Sequence, residues 1–287
     1  MKKFSHIISH LFYEPLLITP QRHAALCQFV EARLAGGMSG AADVTVEAQP
    51  ARAAAGDDDV GGQPAEERSE PVRIDKTVII PVHGTLVAHP EDIAMSECGC
   101  SMEDLNEMIE TAERDPQVTR MIFDFRTPGG TVTGIPETGR KILNSSKETV
   151  AFTDSECCSG GIWLAAQCDR FYATQSSRVG SVGVYVMGWD MTGRMRKAGV
   201  KVNAVSAGKY KLLGAYWKPM GDDERALLQN RVDKIYAQFT DALESQRVVN
   251  DEHFGNGLVF DGEEAAHIGF TDGVVEGIDD IIERMVE

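Results

Sequence analysis

Short apolar runs alternate with amphipathic stretches from residue 77 onward. Val78-Ile79-Ile80-Pro81-Val82 reads as a buried strand ending at His83-Gly84. Residues 101–113 carry apolar positions at helical spacing, with Ser101 as N-cap and Glu103 and Asp104 suited to the first turn. Met121–Phe125 is the next strand, followed by the turn Thr127-Pro128-Gly129-Gly130. A helix around 134–145 leads to a strand at Thr149–Thr153, and a helix at 160–168 leads to short strands near 170–173 and 181–186. A helix near 189–198 returns to a strand at Lys201–Val205, and a long helix at 222–247 precedes a final helix–strand–helix. This alternation predicts an α/β domain built of right-handed βαβ crossovers.

The pattern is different before residue 72. Residues 35–71 contain no Leu, Ile, Phe, Tyr or Trp, and carry runs such as Gly56-Asp57-Asp58-Asp59. Such a segment buries too little apolar surface to offset its ordering entropy, so it reads as a flexible acidic linker. Ahead of it, Pro20 opens a helical stretch through Ala24, Leu26, Cys27, Val30 and Leu34. That piece is too small for a core of its own. The main domain, another subunit and a separate partner are all open as its packing surface. The expected division is therefore an appendage at 1–34, a linker at 35–71 and a catalytic-sized domain at 72–287.

Composition narrows the function. With 28 Lys and Arg against 44 Asp and Glu in 287 residues, the net charge is −16, which argues against a nucleic-acid-binding surface. No apolar stretch approaches the roughly 20 residues of a membrane span. The start MKKFSHIISHLF looks like an export signal, but His6, Ser9, His10 and Glu14 break its apolar core, so export is not expected. Six cysteines are too sparse for a disulfide framework, and neither Cys98-Gly99-Cys100 nor Cys157-Cys158 has the paired spacing of a zinc site. No phosphate-binding glycine loop is present, so no metal, nucleotide or other cofactor is expected.

Two strand ends carry candidate chemistry. At Thr127–Gly130 a glycine pair follows a buried strand, which makes either a tight turn or a place where a ligand approaches backbone amides. At Asp154–Gly161 a serine, Ser159, stands between a buried strand and a helix. It reads either as a helix N-cap or as a nucleophile beside free N–H groups that stabilise an oxyanion. Cys158 is a second possible nucleophile, since a thiolate is activated at a helix N-terminus. A serine needs a base. Of the seven histidines only His83 ends a predicted core strand. The other source is Gly208-Lys209-Tyr210-Lys211-Leu212-Leu213, where a lysine buried among Leu212, Leu213, Tyr216 and Trp217 would lose its proton below its usual value of about 10.4.

Residues 77–286 resemble the protease domain of the signal peptide peptidase A family of serine–lysine peptidases. The resemblance rests on Val78–Gly84, Pro128-Gly129-Gly130, Ser159-Gly160-Gly161, Gly180-Ser181-Val182-Gly183-Val184, Gly208–Lys211 and Val259–Ala265, in the family's order. It implies the α/β fold shared by Clp-type proteases and crotonases. It also implies Ser159 as nucleophile, and Lys211 as general base because the family's lysine stands three residues after the glycine. Gly160 and the Gly129-Gly130 turn would supply oxyanion-hole amides, and Ser181 would orient the lysine. Cys157 and Cys158 depart from the small residues usual before the nucleophile, and no membrane anchor is expected.

Phe12–Pro20 resembles the start of the capsid assembly (prohead) proteases of tailed phages. That subgroup implies scaffold, portal or capsid proteins as substrates, cut in the immature head inside the host cytoplasm, with any scaffold sequence on a separate chain. It also implies homo-oligomers, in which Ser and Lys come from one subunit or from neighbours. The alternatives are a soluble cellular peptidase of the same family, a crotonase-like acyl-CoA enzyme and a catalytically dead capsid-associated protein.

Overall fold

A computed structural model describes residues 14–36, 70–92, 99–249 and 254–284. The first stretch holds β1 (Leu16–Ile18) and α1 (Pro20–Gly36). After β2 (Val72–Ile74), the chain repeats one plan: a buried strand, a short strand leaving its end, then a helix. The first turn is β3 (Thr77–His83), β4 (Thr85–Val87), β5 (Gly99–Ser101) and α2 (Met102–Arg114). The second is β6 (Arg120–Arg126), β7 (Gly129–Thr131) and α3 (Ile135–Leu143). The third is β8 (Glu148–Thr153), β9 (Glu156–Cys158) and α4 (Gly160–Ala165). β10 (Arg170–Ala173) and β11 (Arg178–Gly180) lead to α5 (Thr192–Lys197) and the long α6 (Asp222–Glu244). β12 (Val259–Asp261), α7 (Gly262–Ile268), β13 (Gly273–Val274) and α8 (Ile278–Arg284) follow.

The longer strands form one sheet in the order β13-β10-β8-β6-β3-β2, parallel throughout except at the β2 edge. Parallel neighbours require crossovers, and the helices between them supply these. The short strands make a second layer, β1-β7-β4-β5 and β12-β11-β9, joined by a bridge from Thr127 to Cys157. This is the α/β winding expected of a Clp protease/crotonase-like fold.

Burial on both faces explains why the strands read as unbroken apolar runs. On β6, Met121, Phe123 and Phe125 enter the main core with Leu105 and Ile109 of α2 and Trp163 of α4. Ile122 points the other way, into a cluster with Val150, Phe152, Val275 and Ile281. The expected cap of α2 is made: Ser101 Oγ accepts the Asp104 N–H at 3.0 Å. Trp163 stacks on Phe239 at 4.8 Å, and the Gln167 amide donates to Ala242 O at 3.0 Å, so α6 braces α4 from behind. Among the described residues no helix is long and apolar enough to cross a membrane.

Three expectations change. Residues 201–205 form no strand; Val202 is 45% and Val205 100% exposed, because the segment pairs with no strand among the described residues. The strand expected at 181–186 lies earlier, at β11, leaving one bridge at Tyr185. The described part of the appendage packs on the main body through residues 16–27 and contributes a strand, β1, that the helical pattern did not announce. Most of the proposed linker lies outside the described residues.

One stability prediction arises here. The Arg247 guanidinium is buried, pairs with Asp272 and donates to Cys168 O at 2.8 Å, while Asp272 also accepts the Phe171 N–H. Arg247→Met removes one partner of a largely buried pair. Asp272 keeps some solvent contact, so the expected loss is at the low end for such pairs, about 3 kcal/mol. A lowered urea midpoint at unchanged slope is the readout.

Candidate active site

Ser159 stands at the junction of β9 and α4 with φ 53° and ψ −113°, a conformation rare for a residue with a side chain. Strain of this kind costs on the order of 1–3 kcal/mol and survives only where the surroundings impose it. Here the Ser159 N–H donates to Gly180 O at 2.8 Å, and its carbonyl accepts the Trp163 N–H at 3.2 Å. The preceding Cys158 N–H donates to Thr127 O at 3.0 Å. The backbone is pinned on both sides, and the chain turns sharply from strand into helix. The Ser159 side chain makes no capping hydrogen bond, so capping does not account for the residue.

Ser181 is brought beside it. In the parallel β9–β11 pair Cys158 lies opposite Gly180, so Ser159 and Ser181 leave adjacent strand ends at the same level. Both are buried and both have positive φ.

The two glycine turns, about thirty residues apart in sequence, touch. Gly129 has φ 96°, and a Cβ placed on it would lie 2.9 Å from the Gly160 nitrogen. A Cβ on Gly161 would lie 2.5 Å from Thr127 Cγ2. Only glycine allows this approach. Ser159, Gly160, Gly129, Gly130 and Ser181 thus converge. The Gly160 N–H belongs to the first turn of α4, whose amides have no acceptor within the helix. The Gly129 N–H is engaged inside its own turn: it donates to Thr127 Oγ1 at 3.1 Å, and that hydroxyl donates to Gly84 O at 2.6 Å. Thr127, which sequence reasoning treated only as part of a turn, is the side chain that sets this geometry.

Lys211 is placed differently from the expectation. It lies in an exposed turn, its N–H bonded to Gly208 O at 3.2 Å, and the described residues do not build the apolar packing expected around it. Leu212 and Leu213 are only partly buried, and Tyr216 is 48% exposed. Lys209 is engaged elsewhere: its ammonium pairs with Asp223 at 2.8 Å on the surface, and that hydrogen bond raises its pKa, the wrong direction for a base.

The two rivals are weakened. His83 Nε2 bonds Asp124 Oδ2 at 2.8 Å, beside Arg126, which also reaches Asp154. Along β6, Asp124 alternates with Phe123 and Phe125, so it and His83 lie on the sheet face opposite the core that holds α4. The Cys158 thiol is pushed up to about 12 by burial, and burial raises Cys157 as well. Burial thus opposes the activation expected of Cys158 at a helix N-terminus, because it sits within β9 rather than at the helix.

Over 98% of its length the chain is 29% identical to the capsid assembly protease C of Escherichia phage lambda, covering 65% of that protein. It is 27% identical to the head–tail preconnector protein GP5 of Enterobacteria phage P21, over 98% of the chain and 57% of that protein. A putative signal peptide peptidase SppA of Enterococcus faecium is 23% identical over 69% of the chain and 60% of its own length. The chain therefore spans about two thirds or less of each of these relatives. Residues 141–287, just over half of the chain and including Ser159, Ser181 and Lys211, match the profile of peptidase family S49, and the chain belongs to that family.

Proposed function

We propose that the chain is a serine endopeptidase of phage head assembly. The observation that carries this is the pinned, strained Ser159, whose side chain caps nothing and whose backbone meets two glycine turns. In this reading Ser159 Oγ attacks the scissile carbonyl and Lys211 takes its proton. The negative oxygen faces the Gly160 amide and the Gly130 end of the glycine turn, not Gly129 as the sequence suggested, since the Gly129 N–H is spent on Thr127 Oγ1. The lysine then gives the proton to the departing amine, and water hydrolyses the acyl-enzyme by the reverse proton path. Ser181, beside Ser159, orients the lysine.

The relatives named for capsid assembly and head–tail connection support scaffold, portal or capsid proteins as substrates, cut within the immature head. The exposed apolar residues Val200, Val202, Val205, Tyr210 and Tyr216 around Lys211 support a homo-oligomer in which a second subunit covers this segment and completes the site. The test is coexpression with the scaffold and portal proteins of the same phage, followed by mass spectrometry of new termini. Fragments should form with the wild type and be absent with Ser159→Ala; identical fragments from both would overturn the proposal.

A further inference from the structure

β1 fills a slot between two strand edges that both grow out of the site. On one side Leu16, Leu17 and Ile18 lie antiparallel to Thr131, Gly130 and Gly129, and the Thr19 N–H donates to Pro128 O at 3.0 Å. On the other side Leu16 exchanges both backbone hydrogen bonds with Tyr185, at 2.9 and 3.3 Å. All three residues are buried. Tyr185 follows Ser181 by four residues, and β7 begins at the turn that touches Gly160. The Leu17 carbonyl oxygen takes the space that a Cβ on Gly129 would need, and lies 3.3 Å from where one on Gly160 would be.

A peptidase that cuts extended segments needs a slot of this kind. Two edges satisfy the main chain of the visiting strand, and one of its carbonyls is delivered to the glycine turns. Here a stretch of the chain more than a hundred residues away already occupies it, and Ser159 beneath is only 1% exposed. The helix α1, next in the chain, anchors the occupant. Leu16 and Ile18 pack with Leu26 and Cys27 of α1 against Tyr185, Met187 and Trp189, and the Tyr185 hydroxyl bonds His23 Nδ1 at 2.7 Å.

We propose that β1 is a built-in occupant of the peptide cleft, which must withdraw before a substrate strand pairs with Gly129–Thr131 and Tyr185. This rests on the reading of Ser159 as nucleophile. The protein is then self-blocked, and its apparent activity is reduced by the fraction of time β1 is docked. The competing ligand is an extended, unfolded protein segment.

The test uses the full chain with a cysteine pair, Leu16→Cys with Thr131→Cys. Leu16 spends its backbone groups on Tyr185, so its pairing with Thr131 is of the non-hydrogen-bonded type, with Cα atoms about 4.5 Å apart, a span that a disulfide bridges. Labelling of Ser159 by a fluorophosphonate probe and cleavage of casein are followed in oxidised and reduced protein, with the wild type given the same oxidant. The oxidised pair should lose about tenfold or more of both signals and regain them with reductant, because a locked occupant leaves no competent fraction. Equal signals in both states would overturn the proposal and leave the Ser159 reading intact. Casein cleavage that persists in Ser159→Ala would overturn that reading instead. In the opposite direction, Leu17→Asp places a carboxylate in the core position that docking requires. This variant, shown folded by circular dichroism, should label faster than wild type; unchanged or slower labelling would count against the proposal. Should it not fold, the disulfide pair alone decides.

Discussion

Ser159→Ala should lower kcat by on the order of a millionfold if Ser159 is the nucleophile proposed, because the covalent step is lost and only binding and oxyanion stabilisation remain. The fold should be untouched. Alanine at φ 53° carries the same backbone strain as serine, and the hydrogen bonds that pin this position are made by its backbone. A thermal midpoint within a degree or two of wild type, beside absent casein cleavage, is the expected pair of results. Burial pushes the Cys158 thiol up to about 12, which argues against its rescuing the variant. Cleavage at the wild-type rate would nonetheless transfer the nucleophile's role to that cysteine, and Cys158→Ala would then be the dead enzyme.

Lys211→Met should have an effect of the same order under the proposed assignment, because a nucleophile and its base act as a unit and the loss of either disables both. Methionine keeps the length and apolar character of the stem, so assembly should persist by size-exclusion chromatography. Two controls give the result its meaning. Lys209→Met should keep most activity, since Lys209 is tied to Asp223 on the surface. His83→Gln should also keep it, since that imidazole is held by Asp124 on the far face of the sheet. A dead His83 variant with an active Lys211 variant would displace the lysine from the mechanism. The exposure of Lys211 in the single chain adds a second measurement. Mixing Ser159→Ala with Lys211→Met under subunit exchange should restore part of the activity if each site draws on two subunits. Demonstrated exchange without rescue would place both residues in one subunit.

Both outcomes bear on how far a sequence can be read. The alternation of strands and helices was legible because β3, β6 and β8 are covered on both faces and α2 on one, so burial wrote itself into local composition. The helix start at Ser101 was legible because capping is a local matter between Ser101 and Asp104. The glycine turns after β6 and β9 could be recognised as special, and a shared family order linked Ser159, Ser181 and Lys211.

Where a feature depends on what lies across space, local composition carried no information about it. A strand was expected at residues 201–205, yet a strand needs a partner edge, and the described residues offer that segment none. β1 was not foreseen for the converse reason: three residues show no periodicity, and the edges that make them a strand lie at 129–131 and 185. The meaning of Gly129 is likewise tertiary. Its side chain is missing because Leu17 and Gly160 occupy the space, a contact among three distant parts of the chain. Sequence by itself determined the residue types available for chemistry and the elements that carry them. Only the folded backbone decided that Ser159 is strained and covered, that Ser181 stands beside it, and that Lys211 remains outside, because these are properties of neighbours rather than of the residues themselves.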